Sequence, residues 1–192
     1  MIRLKTEKEK MISGEKYNPA NPKLVFERAR ANRICNKYNK RNFNEINMRS
    51  RLMRKLINTS GIFWIKPPFF CDYGYNIFIE KNVMLNYGCV ILDVCPVKIG
   101  EHTLIGPNTH IYTACHSLVP DERISDIEFG KPVTIGKNVW IGGNCTILPG
   151  FPTATELFGI SFVTTLPAPI TELSPIVTPG KIVQFPPNTH IY

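Results

Sequence analysis

Branched aliphatic residues recur at every sixth position along the middle of this 192-residue chain, and few folds need that period. Ile79, Leu85 and Ile91 form one set, Ile99, Ile105 and Ile111 the next, and Ile135, Ile141 and Ile147 a third. A helix repeats every ~3.6 residues and a strand every ~2, so neither demands a sixth-position rule. A triangular parallel β-coil does: each hexad makes one short strand, its aliphatic residue points to the axis, and three hexads close a turn. Gly follows the aliphatic residue at Gly100, Gly106, Gly136 and Gly142, and Asn stands three positions after it at Asn82, Asn108, Asn138 and Asn144. These are the residues that suit tight corners and a positive φ. The step from Ile91 to Ile99 is eight, which implies a two-residue insertion around Cys95-Pro96. The step from Ile111 to Ile135 is twenty-four, a multiple of six with a polar loop inside it.

Composition narrows what surrounds the coil. With 43% hydrophobic and 20% charged residues the chain has material for a core, which argues against general disorder. No run approaches the ~18 apolar residues of a transmembrane helix. The start, Met1-Ile2-Arg3-Leu4-Lys5-Thr6-Glu7-Lys8, lacks the apolar centre of a signal peptide. Six cysteines with no CxxC pair and no zinc-ribbon spacing predict free thiols and a cytoplasmic setting.

The net charge of +8 is unevenly placed: residues 1–60 hold 16 Lys and Arg against 5 Asp and Glu. This segment reads as a helical cap. Asn21-Pro22 suits a cap and first turn, and Leu24, Val25, Arg28, Ala29, Ile34 and Cys35 keep a rough helical period. A second helix follows Asn42, with Phe43, Ile46, Leu52, Met53, Leu56 and Ile57 on one side. Arg28, Arg30, Arg33, Arg49, Arg51, Arg54 and Lys55 fall on the other faces and are expected to be solvated, an anion site being the alternative. Without a recognition-helix or stacking-aromatic pattern, nucleic acid is not the expected partner, and neither is a membrane. Residues 61–75, rich in aromatics and Pro, read as an extended connector. The coil domain is therefore drawn over residues 61–150.

Particular stretches carry a family resemblance. They are Pro67-Pro68-Phe69-Phe70-Cys71-Asp72-Tyr73-Gly74, Ile91-Leu92-Asp93, Ile105-Gly106-Pro107-Asn108, Tyr112-Thr113-Ala114-Cys115-His116 and the run from Gly130 to Gly143, with Glu9-Lys10-Met11-Ile12-Ser13-Gly14-Glu15 before the cap helices. Over about residues 5–150 the chain resembles the hexapeptide-repeat acyltransferases of the maltose/galactoside O-acetyltransferase type. The resemblance implies a mainly β fold, a left-handed parallel β-helix with an N-terminal helical cap, assembled as a homotrimer. It further implies acetyl transfer from acetyl-CoA, as co-substrate, to a sugar hydroxyl.

An alcohol needs a base at neutral pH, and His is best matched to that task. His102 and His110 lie in repeat positions, whereas His116 lies where the hexads break into the loop and matches the family's catalytic histidine. The resemblance places Asn86, Asp93, Asp72 and Asn18 on the acceptor side, Trp140 on the pantetheine arm, and Gly142 and Gly143 at the cofactor, with the Gly143 N–H facing the oxyanion. Asn86 also reads as a corner residue, and Trp140 as an outward aromatic covering a neighbouring subunit. Asp93 follows the apolar run Val90-Ile91-Leu92, where a buried carboxylate needs a partner. Asn18 stands where the family often has Asp. Arg123 and Glu128 lie in the loop without an assigned role. No metal is expected. Two other functions fit the coil: a metal-dependent hydratase using His102, His110 and His116, and a non-catalytic structural trimer.

The period of six stops at Gly150, and 7 of the 16 prolines fall in residues 151–192. Degenerate codons for Thr178 to Pro187, read on the opposite strand with a one-base frame shift, can spell the chain's own residues 142–150, with some positions left free by the degeneracy. The tail is therefore expected to be irregular, disordered and an antisense translation of the gene's own 3′ region, which would impair binding of the far end of CoA.

Overall fold

The computed structural model describes residues 3–149, so the expectations for residues 151–192 lie outside the described residues. The chain opens with α1 (Glu7–Ile12), held by a reciprocal capping box between Thr6 and Glu9. Then comes α2 (Pro22–Asn39), whose N-cap Asn21 side chain accepts from the Lys23 N–H, with Pro in the first turn as the sequence suggests. The third helix, α3, spans Ile46–Arg54.

Twelve short strands then wind four turns of three. The first turn is β1 (Asn58–Thr59), β2 (Phe63–Ile65) and β3 (Phe69–Cys71). The second is β4 (Ile77–Ile79), β5 (Val83–Leu85) and β6 (Cys89–Leu92). The third is β7 (Val97–Ile99), β8 (Leu104–Ile105) and β9 (His110–Tyr112). A hairpin excursion of β10 (Ala114–Cys115), α4 (Pro120–Ile124) and β11 (Phe129–Gly130) interrupts the winding. The fourth turn is β12 (Val133–Ile135), β13 (Trp140–Ile141) and β14 (Thr146–Ile147).

Strands from successive turns stack in parallel into three faces: β1-β4-β7-β12, β2-β5-β8-β13 and β3-β6-β9-β14. The register puts like on like, with Ile79 beside Ile99, Ile99 beside Ile135, Leu85 beside Ile105 and Ile91 beside Ile111. All nine sixth-position aliphatics are buried in one core cluster. Burying each contributes ~1.5–3 kcal/mol, so the repeat is the main apolar support of the prism. Asn82, Asn108, Asn138 and Asn144 turn the corners at φ 59°, 54°, 56° and 57°, and His102 takes an equivalent corner at φ 60°.

Two sequence expectations are corrected. Residues 61–75 are no connector: β2 and β3 pair with β5 and β6, and the first turn keeps the period through Thr59, Ile65 and Cys71. Thr and Cys take the inward positions there, which hides the repeat from a search for branched aliphatics. In α3 the sidedness differs as well. Arg49 is buried, while Phe43 and Ile46 are exposed. The Arg49 guanidinium donates to the Tyr38 hydroxyl (3.0 Å) and the Ile65 carbonyl (2.9 Å) and lies over the Tyr38 and Phe43 rings. Those contacts hold the cap to the first coil turn and offset the cost of burying a cation. Arg28 also leaves the solvated set, donating to the Tyr73 hydroxyl (2.6 Å) and the Pro19 carbonyl (2.8 Å).

The cap is bound to the coil by a second core, in which Met11, Tyr17 and Leu24 pack with Tyr73, Val94 and Cys95. Lys8 and Glu27 pair at 3.0 Å, and the Tyr75 hydroxyl donates to Glu27 at 2.7 Å. The six cysteines are free thiols. Among the described residues no helix is long and apolar enough to cross a membrane.

Candidate active site

The third face has two long edges, and the site residues predicted from sequence divide between them. The edge entering the face is built from corners. The Asn86 N–H donates to the Ile105 carbonyl (2.9 Å) and the Gly106 N–H to the Ile141 carbonyl (2.8 Å), so residues 86, 106 and 142 form one column. Asn86 is absent from the positive-φ positions; the left-handed corner of its turn is Gly88, at φ 73°. Asn86 thus stands at the corner without a positive φ, and its Oδ1 accepts the Tyr87 N–H at 2.9 Å. The column is tightly packed: a Cβ on Gly106 would meet the Gly142 carbonyl carbon and the Gly143 nitrogen at 2.5 Å. Among the described residues a Cβ on Gly142 would meet nothing within 4 Å, which leaves room there for an approaching molecule. Beside it Trp140 is 46% exposed and heads an outward ladder with Leu104, Met84 and Trp64 on the second face.

The edge leaving the face is built from side chains. Asp93 is fully buried, with Oδ1 accepting the Tyr73 N–H (2.9 Å) and Oδ2 the Asn76 N–H (3.2 Å). The Asn76 side chain returns a hydrogen bond to the Asp93 carbonyl at 2.7 Å. The partner that a carboxylate needs at this place is thus the backbone of residues 73–76. Burial raises the Asp93 carboxyl to about 7, with the charge of Asp72 adding to it against the backbone donors. Asp72 is raised to about 6, first by burial and then by the charge of Glu128, with Arg28 opposing.

His116 stands at the root of the hairpin excursion. β10 and β11 pair antiparallel, Ala114 with Gly130 and Cys115 with Phe129, so the next rung sets His116 opposite Glu128. The His116 Nε2 lies 3.4 Å from Glu128 Oε1, and His116 is the more exposed of the two. On its far side Glu128 is bridged to the cap: the Tyr17 N–H donates to its carbonyl (2.9 Å), its own N–H donates to the Tyr17 carbonyl (3.1 Å), and the Tyr17 hydroxyl donates to Oε2. Asn18 follows at once. Its N–H donates to Glu7 (2.6 Å), and its Oδ1 accepts the Ala20 N–H (2.8 Å).

His116, Glu128, Tyr17 and Asp72 therefore share one edge, while Asn86, Trp140, Gly142 and Gly143 share the other. Glu128 is the residue without an assigned role that the geometry brings in. The hairpin register is the nearest cue, since its ladder pairs 114 with 130 and 115 with 129, and residues 116 and 128 follow just beyond its last rung. Arg123, the other unassigned loop residue, donates to the Ser117 and Leu118 carbonyls and braces the loop. Of the other histidines, His102 is at a corner and His110 hydrogen-bonds Tyr112 at 2.8 Å. Among the described residues no three His, Cys, Asp or Glu side chains are grouped to hold a metal ion.

Comparison with known proteins identifies the family. Residues 10–61 match the maltose acetyltransferase hexapeptide capping motif, and residues 132–152 match the hexapeptide repeat of succinyl-transferase. Nodulation protein L of Rhizobium meliloti (strain 1021) is 43% identical over 147 residues, covering 76% of this chain and 80% of the relative. A crystal structure of a maltose O-acetyltransferase from Clostridium difficile 630 superposes with TM-score 0.75 at 41% identity, covering 77% of this chain and 80% of that one. A hexapeptide-repeat acetyltransferase from Vibrio cholerae O1 biovar eltor, complexed with acetyl coenzyme A, superposes with TM-score 0.70 at 37% identity, covering 76% and 79%.

Proposed function

The chain belongs to the maltose/galactoside O-acetyltransferase family of hexapeptide-repeat acyltransferases and has its left-handed β-helix and helical cap; from that premise we propose that it moves the acetyl group of acetyl-CoA to a sugar hydroxyl, with His116 as general base. Acetyl transfer itself is supported by the relatives, and acetyl-CoA as co-substrate by the neighbour complexed with it. The observation that carries the reading is the placement of His116, exposed at the root of the hairpin and backed by a less exposed carboxylate. An imidazole so placed accepts the proton of an acceptor hydroxyl as its oxygen adds to the thioester carbonyl, and then returns it to the departing thiolate sulfur. Glu128 orients the ring and balances the positive charge it gains. The Gly143 N–H is assigned to the oxyanion, Trp140 and Gly142 to the pantetheine arm. Asp72, Asn86 and Asn18 are assigned to the acceptor, and Asp93 to holding the backbone of that wall through Tyr73 and Asn76.

The two halves of this site lie on opposite edges of the third face within one chain. We therefore read the working unit as a homotrimer, in which the His116 edge of one subunit meets the Asn86–Gly143 edge of the next. The outward ladder of Trp64, Met84, Leu104 and Trp140 supplies apolar surface for such a contact. The capping helices, residues 1–60, and the coil domain to residue 150 are proposed as the two functional parts. The expectation that CoA binding is weak rests on the lost period after Gly150. The test is free-thiol release from acetyl-CoA over a sugar panel, run on the chain, on H116A, and on the chain with a regular hexapeptide terminus grafted after Gly150. Thiol release that needs both a sugar and His116 supports the reading. A folded, trimeric, grafted chain that stays inactive on every sugar counts against it.

A further inference from the structure

We propose that Tyr17, on the helical cap, is a positioning residue for the base: its hydroxyl holds the Glu128 carboxylate in the orientation that meets His116. The inference rests on the reading of His116 as general base and extends it to a residue in a different part of the molecule, 99 positions earlier in the chain. Tyr17 is 2% exposed, so its phenol lies in a fixed place, enclosed by Met11, Leu24, Tyr73, Val94 and Cys95. Burial raises the phenol far above its ordinary range, and its bond to Glu128 adds to that. It therefore acts as a proton donor in a hydrogen bond throughout any working pH.

The geometry leaves Glu128 little freedom. Its backbone is bridged to Tyr17 in both directions. One carboxylate oxygen takes the Tyr17 hydroxyl and the other lies 3.4 Å from the His116 Nε2. A carboxylate shared in this way has one rotamer that serves both partners. Freed from the phenol, the Glu128 carboxylate keeps no hydrogen bond among the described residues to hold it, while the charge of Asp72 repels it. The hairpin alone does not fix the ring, because the β10–β11 ladder ends at Cys115 and Phe129, one rung short of the pair. The cap is thus part of the catalytic apparatus. Seating of the segment after α1 is what completes the base, and an enzyme with a displaced cap has its histidine but not the orientation of it.

The experiment is a double-mutant cycle of Tyr17→Phe and Glu128→Gln, with kcat and both KM values measured by thiol release. Phe keeps the packing and the backbone bridge and removes only the oxygen. Y17F is expected to lower kcat roughly threefold to tenfold with the acetyl-CoA KM within about twofold, and the double variant to be no slower than E128Q alone. The imidazole nitrogen shifts of His116, read by NMR, are expected to move in the same direction in Y17F as in E128Q. Additive losses, or a Y17F enzyme with wild-type kcat and an unmoved His116 signal, overturn the proposal. If Y17F melts lower, the His116 shifts recorded on the folded protein decide the matter without the rates. H116A separates the two levels. If it keeps full activity, the reading of the base fails; if it is dead while Y17F is unaffected, only the present inference fails.

Discussion

The two edges of the third face are made by different means. One is a column of backbone: residues 86, 106 and 142 stacked by the coil's own hydrogen bonds, with no room for a Cβ at Gly106 and, among the described residues, nothing against Gly142. The other is a convergence of side chains from three places, the cap (Tyr17), the end of β3 (Asp72) and the hairpin (His116, Glu128). A repeat supplies rigid, regularly spaced N–H groups and carbonyls, which suits a long flexible arm that must lie along the coil. It supplies no titratable group in the right place. Proton chemistry had to be added where the repeat is broken, and the added parts hold one another in position. In the proposed homotrimer, binding and chemistry are thus on separate structural supports, joined where two copies meet.

Four changes test that contrast. The largest effect is expected from H116A, which should lower kcat about 10²–10⁴-fold, the usual contribution of a general base, while the thermal midpoint stays within a degree or so of wild type. An unchanged kcat would remove the chemistry from that edge altogether. Gly106→Ala attacks the other edge. A methyl group forced against the backbone of Gly142 and Gly143 should cost about 2 kcal/mol in chemical denaturation and raise the acetyl-CoA KM together with it. Trp140→Ala should raise the acetyl-CoA KM about tenfold, the equivalent of ~1.4 kcal/mol, with little effect on the acceptor KM. Loss on the acceptor side instead would merge the two edges into one.

The smallest effect concerns pH. The Asp72 carboxyl moves from its ordinary 3.8 to about 6 on folding. The folded state then holds a proton that the unfolded state has released, so stability falls as pH rises through that window and is level above it. Asp93, raised to about 7, acts with the same sign. Asp72→Asn should remove part of this fall, on the order of 1 kcal/mol between pH 4 and 7 in urea titrations. Identical slopes in the two proteins would mean that Asp72 is not desolvated at that edge.

The sequence revealed these regions unequally. Period six, the positive-φ Asn corners and the inward aliphatics appear in the structure where the spacing put them, whereas Gly100, Gly106, Gly136 and Gly142 do not take the expected positive φ, and at Gly100 and Gly106 it is the close approach of the next turn's backbone that excludes a Cβ. The first coil turn is not legible in the aliphatic period because Thr59 and Cys71 occupy its inward positions. The burial of Arg49 is not legible either, because it depends on the Tyr38 hydroxyl and the Ile65 carbonyl, partners that no helical period announces. His116 and Asp72 came from the family resemblance and not from the spacing. The role of Glu128 depends on a tertiary bridge to Tyr17 and on a hairpin register, and both require the folded coil.

Every departure from the period of six falls at the same corner. Cys71 to Ile79 is eight, Ile91 to Ile99 is eight, and Ile111 to Ile135 is twenty-four, always between the third face and the first. The winding resumes in register after each, with Ile135 seated on Ile99 after an excursion of twenty-odd residues. Length at that corner is therefore free to vary without disturbing the stacks, and loop closure adds only ~0.6 kcal/mol per doubling. The corner works as an interchangeable socket. A hairpin borrowed from a relative, grafted between Thr113 and Lys131, would be read by the same prism, and the loop that carries His116 and Glu128 is free to change by insertion and deletion while the core stays untouched.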